Sequence, residues 1–269
     1  MMAVHPKPAA KPAPVRIKLV ALPTEHGGWG MLGAPILLGL LAAPSVPGAL
    51  LALAALAGFL TRQPLRLAVT DLRRGKHYPR TSWAIGFATG YAQVALLAFA
   101  LALINTSAPI WLPVAAALAL GGYQFSCDLR AQGRAFLPEI AGASALALVV
   151  TAITLAGGLD TVRAWVLAAV LAAQAVTAVS YAASRLRQSR GEAIDRKEVV
   201  LGHVAAAVLV GAFVVWGILR WPILAAFVAL TVRAAWGLSP MARQVRPSFV
   251  GVQEIGYSLL TVICAYLSV

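Results

Sequence analysis

The chain has 269 residues, of which 60% are hydrophobic and only 12% are charged, and its formal net charge is +13. A soluble domain has about 25% charged residues, so the composition excludes an ordinary soluble protein, a disordered chain and a secreted disulfide scaffold. At about 20 apolar residues per membrane span, the length predicts a polytopic membrane protein with roughly eight to ten spans.

The first 24 residues differ from the rest of the chain, because they contain five prolines and four basic residues. This composition predicts a flexible basic arm, which we place on the cytoplasmic side. We expect residues 25–269 to form a single transmembrane domain.

Nine apolar segments follow the arm. All are predicted to be α-helices, because lipid offers the backbone no hydrogen-bonding partner and a helix satisfies its own polar groups. The segments cover about 27–43, 47–68, 81–104, 109–127, 138–157, 162–184, 199–219, 221–239 and 249–268. The predicted fold is therefore all-α, a polytopic bundle of about nine transmembrane helices.

The basic residues are divided unequally between the two predicted membrane faces. Twenty of the 22 lysines and arginines lie in the arm or in alternate connections, and only Arg163 and Arg220 lie on the opposite side. This asymmetry predicts a cytoplasmic N-terminus and an external C-terminus in a bacterial plasma membrane. Because orientation explains most of the charge, we expect the lipid bilayer, and no nucleic acid, as a partner.

Two polar residues precede the first apolar segment. Glu25 and His26 stand before Gly27 and Gly28, whose lack of a side chain allows close approach of a ligand. We consider Glu25 and His26 as a catalytic acid–base pair. A turn that leads into an interfacial helix explains them equally well.

Arginines mark the end of the second segment. Arg62 lies well inside the predicted span, where a charge normally faces a cavity or a partner, and Arg66 shares its helix face. The planar guanidinium suits a phosphate or carboxylate group, so Arg62, Arg66 and the nearby Asp71 are candidate ligand-binding residues. Topology signalling with snorkelling side chains is the alternative.

Further candidates lie in the other segments. The third and sixth segments carry polar stripes that either line a wet cavity or join helices, and the connection after the fourth segment is polar. Glu254 lies about one turn inside the last segment and requires an arginine partner, so a structural ion pair is as good an explanation as a site. The candidates from these regions are Gln93, Asp128, Arg134, Gln174, Tyr181, Arg185 and Glu254. No metal-ligand spacing is present, and the sequence assigns no cofactor and no protein partner.

Several short motifs resemble the YwiC-like family of bacterial integral membrane proteins, a resemblance that implies no particular activity. Their order and spacing carry the resemblance over nearly the whole chain after the arm. The motifs are Pro23–Gly30, Arg62–Arg66, Asp128–Glu139, Ser184–Gly191 with the following Gly202-His203, and Gly251–Glu254.

The architecture is also distantly similar to the UbiA superfamily of intramembrane prenyltransferases, with nine spans and polar cytoplasmic loops after spans 2 and 6. Those enzymes hold Mg²⁺ and a prenyl diphosphate with aspartate-rich motifs at both places. Here the first place reads Arg62-Gln63-Pro64-Leu65-Arg66. The resemblance therefore carries over no metal site, and arginines in place of the acids would favour metal-free binding of an anionic headgroup.

The leading hypothesis is a UbiA-like bundle with a cytoplasm-facing, arginine-lined cavity for an anionic amphiphile, such as a prenyl diphosphate or a quinone precursor. In it, Arg62, Arg66 and Arg185 would hold the anion, and whether a reaction follows is left open. The alternatives are a transporter for a small anion and a non-catalytic membrane assembly factor.

Overall fold

The computed structural model describes residues 15–23, 26–241, 245 and 247–269. Throughout those ranges the regular structure is α-helical, without a strand, so the all-α prediction is confirmed. The helices are α1 (Ile17–Ala21), α2 (His26–Ala42), α3 (Val46–Arg73), α4 (Pro79–Ile104), α5 (Trp111–Leu129), α6 (Phe136–Ala156), α7 (Thr161–Ser189), α8 (Arg196–Val215), α9 (Pro222–Gly237) and α10 (Pro247–Tyr266). Each of the nine predicted segments corresponds to one helix from α2 to α10.

Six helices in the described part of the chain are long and apolar enough to cross a membrane, namely α3, α4, α6, α7, α8 and α10. The apolar helices Gly27–Ala42 and Pro222–Gly237 are shorter. The 16 residues of α9 extend about 24 Å, less than the roughly 30 Å of a hydrocarbon core. The structure thus supports a membrane bundle, and the count of nine spans stays a prediction.

Local sequence signals explain where several helices begin. The side chains of Ser45, Asp160 and Asp195 accept hydrogen bonds from backbone N–H groups three residues later. Each therefore satisfies a donor that has no partner inside the helix, which is the ordinary role of an N-cap residue.

Helices α6 and α7 form the centre of the bundle. Of the residues in the most apolar 18-residue stretch of each helix, 56% are buried in α6 and 61% in α7. In α4 and α8 the corresponding share is only 17%. Helix α6 packs against α2, α3, α5 and α7. Since α4 and α8 leave most of their apolar surface exposed, they are the helices that a bilayer would cover.

The two ends of the bundle differ in charge. The basic end is the end at which α3, α5, α7 and α9 terminate, and it is fastened by hydrogen bonds from Arg196 to the Ala235 carbonyl and from Gln188 to the Ser239 carbonyl. At the opposite end the Ser268 hydroxyl accepts the Ile223 N–H. All seven tryptophans lie within four residues of a helix terminus, where an aromatic belt would place them.

Part of the predicted arm is described. Helix α1 packs Val20 against Ala68 of α3 and Ala84 of α4. Residues 1–14, with most of the prolines of the predicted arm, lie outside the described residues.

Candidate functional site

A cavity of about 1450 Å³ opens within the bundle between α2, α3, α4, α5, α6, α7 and α10. Its volume exceeds the roughly 300–1,000 Å³ of pockets that hold drug-sized molecules. The cavity therefore has room for a ligand of lipid size.

Charged side chains surround the part of the cavity nearest the basic end. Five arginines and three acids line it, so their formal charges sum to +2. They are Arg62, Arg66, Arg134, Arg187, Arg190, Asp128, Glu139 and Glu254. A concave surface with excess positive charge and apolar walls attracts anions.

The rest of the cavity is apolar. Its walls include Leu51, Phe99, Val114 and Ala152. On α6 the lining runs from Glu139 to Ala152, thirteen residues or about 20 Å along the helix axis. The cavity thus passes from a charged rim to an apolar interior over a distance close to half the thickness of a bilayer.

An ion pair across the rim joins α3 to α5. The Nε and Nη2 atoms of Arg62 each lie 2.7 Å from Oδ2 of Asp128. The Asp128 side chain is 5% exposed and that of Arg62 is 29% exposed. Arg62 therefore reaches both the cavity and an acidic partner on the facing helix.

The turn after α5 positions Asp128. The N–H groups of Ala131 and Gln132 bond to the carbonyls of Asp128 and Cys127, which is the Schellman pattern of a helix C-terminus. Gly133 lies directly against the Asp128 carboxylate, and a methyl group there would overlap it. A glycine is thus required at this close approach.

Three of the other rim arginines have weaker partners. The Nη2 atom of Arg66 donates to the neutral amide oxygen of Gln63 at 2.9 Å. Arg187 and Arg190 lie 3.2 and 3.9 Å from the exposed carboxylate of Glu192. Because these partners are uncharged or solvated, the arginines can exchange them for a ligand at small cost.

Two polar groups line the cavity from α7 and α10. Gln174 is 4% exposed, and its Nε2 atom donates to the Ser258 hydroxyl at 3.1 Å. Glu254 accepts a hydrogen bond of 2.7 Å from Nη1 of Arg233. Arg233 is the arginine partner that the sequence required for this intramembrane carboxylate.

Arg233 lies behind the cavity wall, in a polar cluster of its own. Its guanidinium stacks between the rings of Tyr181 and Tyr257, 4.1 and 4.5 Å from their centroids. Such stacking stabilises a desolvated cation by about 2 kcal/mol. The position of Tyr181 outside the cavity lining follows from this contact.

Several predicted site residues lie away from the cavity. Asp71 is fully buried at the α3–α4 turn, where it binds Arg80 and Thr81. Gln93 lies on the exposed face of α4, and Arg185 donates to Gln188. The structure thus brings Arg62, Arg66, Asp128, Arg134, Gln174 and Glu254 to one cavity.

The predicted acid–base pair is only partly described. Glu25 lies outside the described residues, and of His26 the structure describes the backbone, which begins α2. The neighbouring Gly27, Gly28 and Gly30 line the cavity.

The described residues contain no group of three or more histidine, cysteine, aspartate or glutamate residues that could hold a metal ion. The cavity lining offers arginine and amide groups, which bind anions directly, beside three carboxylates.

A comparison with protein families matches residues 22–154 to the model described as YwiC-like protein. Over this stretch the chain is similar to the YwiC-like family. The matched stretch contains three of the five motifs that the sequence analysis quoted, and it ends near the C-terminus of α6. No curated protein and no solved structure matches the chain.

The YwiC-like stretch supplies the cavity walls from α2 to α6, including the Arg62–Asp128 pair. Sequence reasoning missed Arg187 and Arg190, which it counted only as topology signals. It also missed Arg233, although an arginine inside the segment 221–239 is itself a signal of a buried polar partner.

Proposed function

We propose that this membrane protein binds an anionic amphiphile, such as a prenyl diphosphate or a quinone precursor, with its headgroup at the rim arginines and its tail in the apolar interior. The observation that carries the proposal is the continuity of a positively charged rim with a deep apolar interior in one cavity. A small hydrophilic anion would leave the apolar volume unused.

The rim arginines have different parts in this binding. Within the described part of the chain, Arg66 donates to the neutral amide of Gln63, so an anion binds it without displacing a charge. Arg62 must share its guanidinium with Asp128 or exchange that carboxylate for the ligand. We therefore assign Arg66 as the first contact and Arg62 as the second.

The proposal includes a UbiA-like fold without its metal chemistry. Arginines stand where that superfamily has acidic magnesium ligands, and a guanidinium fork binds a diphosphate without a bridging cation. Binding is therefore expected to be independent of Mg²⁺.

The test is binding of farnesyl and geranylgeranyl diphosphate to the detergent-purified full chain, first with Mg²⁺ and then with EDTA. We expect saturable binding in both conditions. Arg66→Ala should weaken it by about 10- to 100-fold, since a hydrogen bond to a charged group contributes about 1.5–3 kcal/mol. Arg73→Ala is the matched control, because Arg73 is exposed on the same helix outside the cavity.

Two outcomes would contradict this function. Absence of saturable binding with and without Mg²⁺ would reject the lipid-diphosphate ligand. Equal effects of Arg66→Ala and Arg73→Ala would show that the arginines act as topology signals and not as a binding site.

A reaction on the bound ligand would use Glu25 and His26 as acid and base. The support for this part is that His26 directly precedes cavity-lining glycines. If it is right, His26→Gln should preserve binding and abolish any turnover of the bound ligand.

Transport of a small anion is a second candidate, favoured by one observation. Glu254 lines the cavity while paired with the buried Arg233, and such intramembrane pairs mark ion pathways in many carriers. Uptake of labelled phosphate or acetate into proteoliposomes, absent from protein-free liposomes, would favour this function over lipid binding.

We further propose that the basic end faces the cytoplasm of a bacterial cell, with Val269 outside. The unequal division of lysine and arginine supports this orientation. Labelling of a cysteine added after Val269 by a membrane-impermeant maleimide in intact spheroplasts would test it.

A further inference from the structure

The backbones of α4 and α5 stay apart although the two helices follow each other in the chain. Six residues connect them, yet no Cα atom of α4 lies within 8 Å of one of α5 in these fully described helices. Both helices contribute side chains to the cavity. The space between them is therefore continuous with the cavity.

Two leucines stand on either side of this space. Leu96 of α4 and Leu118 of α5 both line the cavity, yet they are 68% and 71% exposed. A side chain that lines a cavity and is mostly exposed lies at its opening. Leu96 is about 12 Å from the end of α4 and Leu118 about 11 Å from the start of α5, so they lie at the same depth.

The opening is bounded at both ends. Toward the basic end, Arg62 and Asp128 bridge α3 and α5. Toward the other end, the rings of Phe99 and Trp111 meet edge to face with centroids 6.1 Å apart. The result is a slot between α4 and α5 that is lined by apolar side chains. It opens sideways out of the bundle, at a depth where the hydrocarbon core of a bilayer would lie.

We infer that this slot is the entrance for the ligand tail, which passes sideways from the bilayer between Leu96 and Leu118 while the headgroup moves along the arginine rim. This inference rests on the proposed function and deepens it. It specifies a ligand that is dissolved in the membrane and carries a long chain. A long apolar chain stays in apolar surroundings as it passes from the bilayer through the slot into the cavity, because the lipid and the slot are both apolar.

The test closes the slot chemically. Cys127 and Cys264 are first replaced by alanine, and Leu96→Cys is combined with Leu118→Cys. A bifunctional maleimide then joins the two helices, because their Cα separation exceeds the 4.4–6.8 Å that a disulfide spans. Exchange of geranylgeranyl diphosphate between liposomes and the protein in nanodiscs is followed over time.

We expect the cross-link to slow both association and dissociation of geranylgeranyl diphosphate roughly tenfold while its Kd stays unchanged, since a gate alters access and not affinity. Inorganic pyrophosphate, which reaches the rim from water, should keep its rates. Leu97→Cys with Leu112→Cys is the matched control, because both leucines are exposed on the same helices but do not line the cavity.

The remaining outcomes decide against the slot. Unchanged rates after cross-linking overturn it, and a weakened Kd shows that the leucines belong to the binding surface. Leu96→Trp with Leu118→Trp narrows the same opening without a cross-link and must also slow exchange. If the protein before cross-linking binds no geranylgeranyl diphosphate, the proposed function fails, and the slot as a ligand entrance fails with it.

Discussion

Two arginine–aspartate pairs at the basic end look alike in sequence and differ in structure. In the Arg80–Asp71 pair, Nε and Nη2 of Arg80 bind separate carboxylate oxygens at 3.0 and 2.7 Å, and Thr81 adds a third hydrogen bond. In the Arg62–Asp128 pair, both arginine nitrogens approach the same oxygen. The first pair lies outside the cavity, and the second lines it.

The difference separates a structural pair from one that a ligand can exchange. The oxygens of Asp71 are engaged and fully buried, so the pair fastens the α3–α4 turn. Asp128 engages Arg62 through one carboxylate oxygen at the edge of the cavity, so a ligand there competes with that oxygen for the guanidinium. In sequence Asp71 and Asp128 are equivalent candidates, and their geometry favours a binding role for Asp128 alone.

Removing the partner of Asp71 should have the largest effect. Arg80→Ala leaves a buried carboxylate without its cation, which costs about 3–5 kcal/mol. For a chain of this size the apparent melting temperature in detergent should fall by roughly 10 °C. Scanning fluorimetry measures the shift.

Asp71→Asn is the control for this change. Arg80 is 44% exposed, so water can solvate it after the carboxylate is neutralised. The fall in melting temperature should therefore be clearly smaller for Asp71→Asn than for Arg80→Ala. Equal losses for the two variants, or a melting temperature of Arg80→Ala within about 2 °C of the wild type, would contradict a structural role for this pair.

A third pair extends the comparison into the membrane. Glu254→Ala leaves Arg233, which is 4% exposed, without its counter-ion and should also destabilise by about 3 kcal/mol. The double variant Arg233→Met with Glu254→Leu should lose much less stability than Glu254→Ala, because it leaves neither charge of the pair buried. Equal melting of the single and double variants would show that leaving Arg233 without its counter-ion costs nothing beyond the loss of the side chain.

The helices could be predicted because the bilayer imposes apolar segments of fixed length, and each predicted segment proved helical. The partners of the charges could not be predicted in the same way. Helical spacing shows that Ser82, Thr89 and Gln93 share a face of α4, but not that this face is the exposed one. The rotation and register of packed helices decide such contacts, as they place Arg233 between two tyrosines from other helices.

Neutralising Asp128 should affect binding rather than folding. In Asp128→Asn, the Asp128 side chain no longer competes with the ligand as an anion for Arg62, and the rim loses a charge that repels anions. We expect geranylgeranyl diphosphate to bind about tenfold more tightly, in keeping with the 1.5–3 kcal/mol of a hydrogen bond to a charged group. Titration of the purified variant measures the change in Kd.

Asp71→Asn serves again as the matched control, because Asp71 lies outside the cavity. Its Kd should equal that of the wild type. If the two substitutions shift the Kd alike, or if Asp128→Asn weakens binding, then the Arg62–Asp128 pair is a structural pair like Arg80–Asp71 and the distinction between them fails.

The smallest effect concerns the turns that follow the two aspartates. Both are Schellman turns with a positive φ, at Gly75 (64°) after Asp71 and at Ala131 (60°) after Asp128. Because a β-carbon is strained in this region, Ala131→Gly should raise stability by about 0.5–1 kcal/mol and Gly75→Ala should lower it by a similar amount. A Cβ at residue 75 would meet no atom within 4 Å, so Gly75→Ala adds no steric clash and tests backbone strain alone. Opposite shifts of the melting temperature, about 1–3 °C each, are expected, and shifts of the same sign would refute the strain at Ala131.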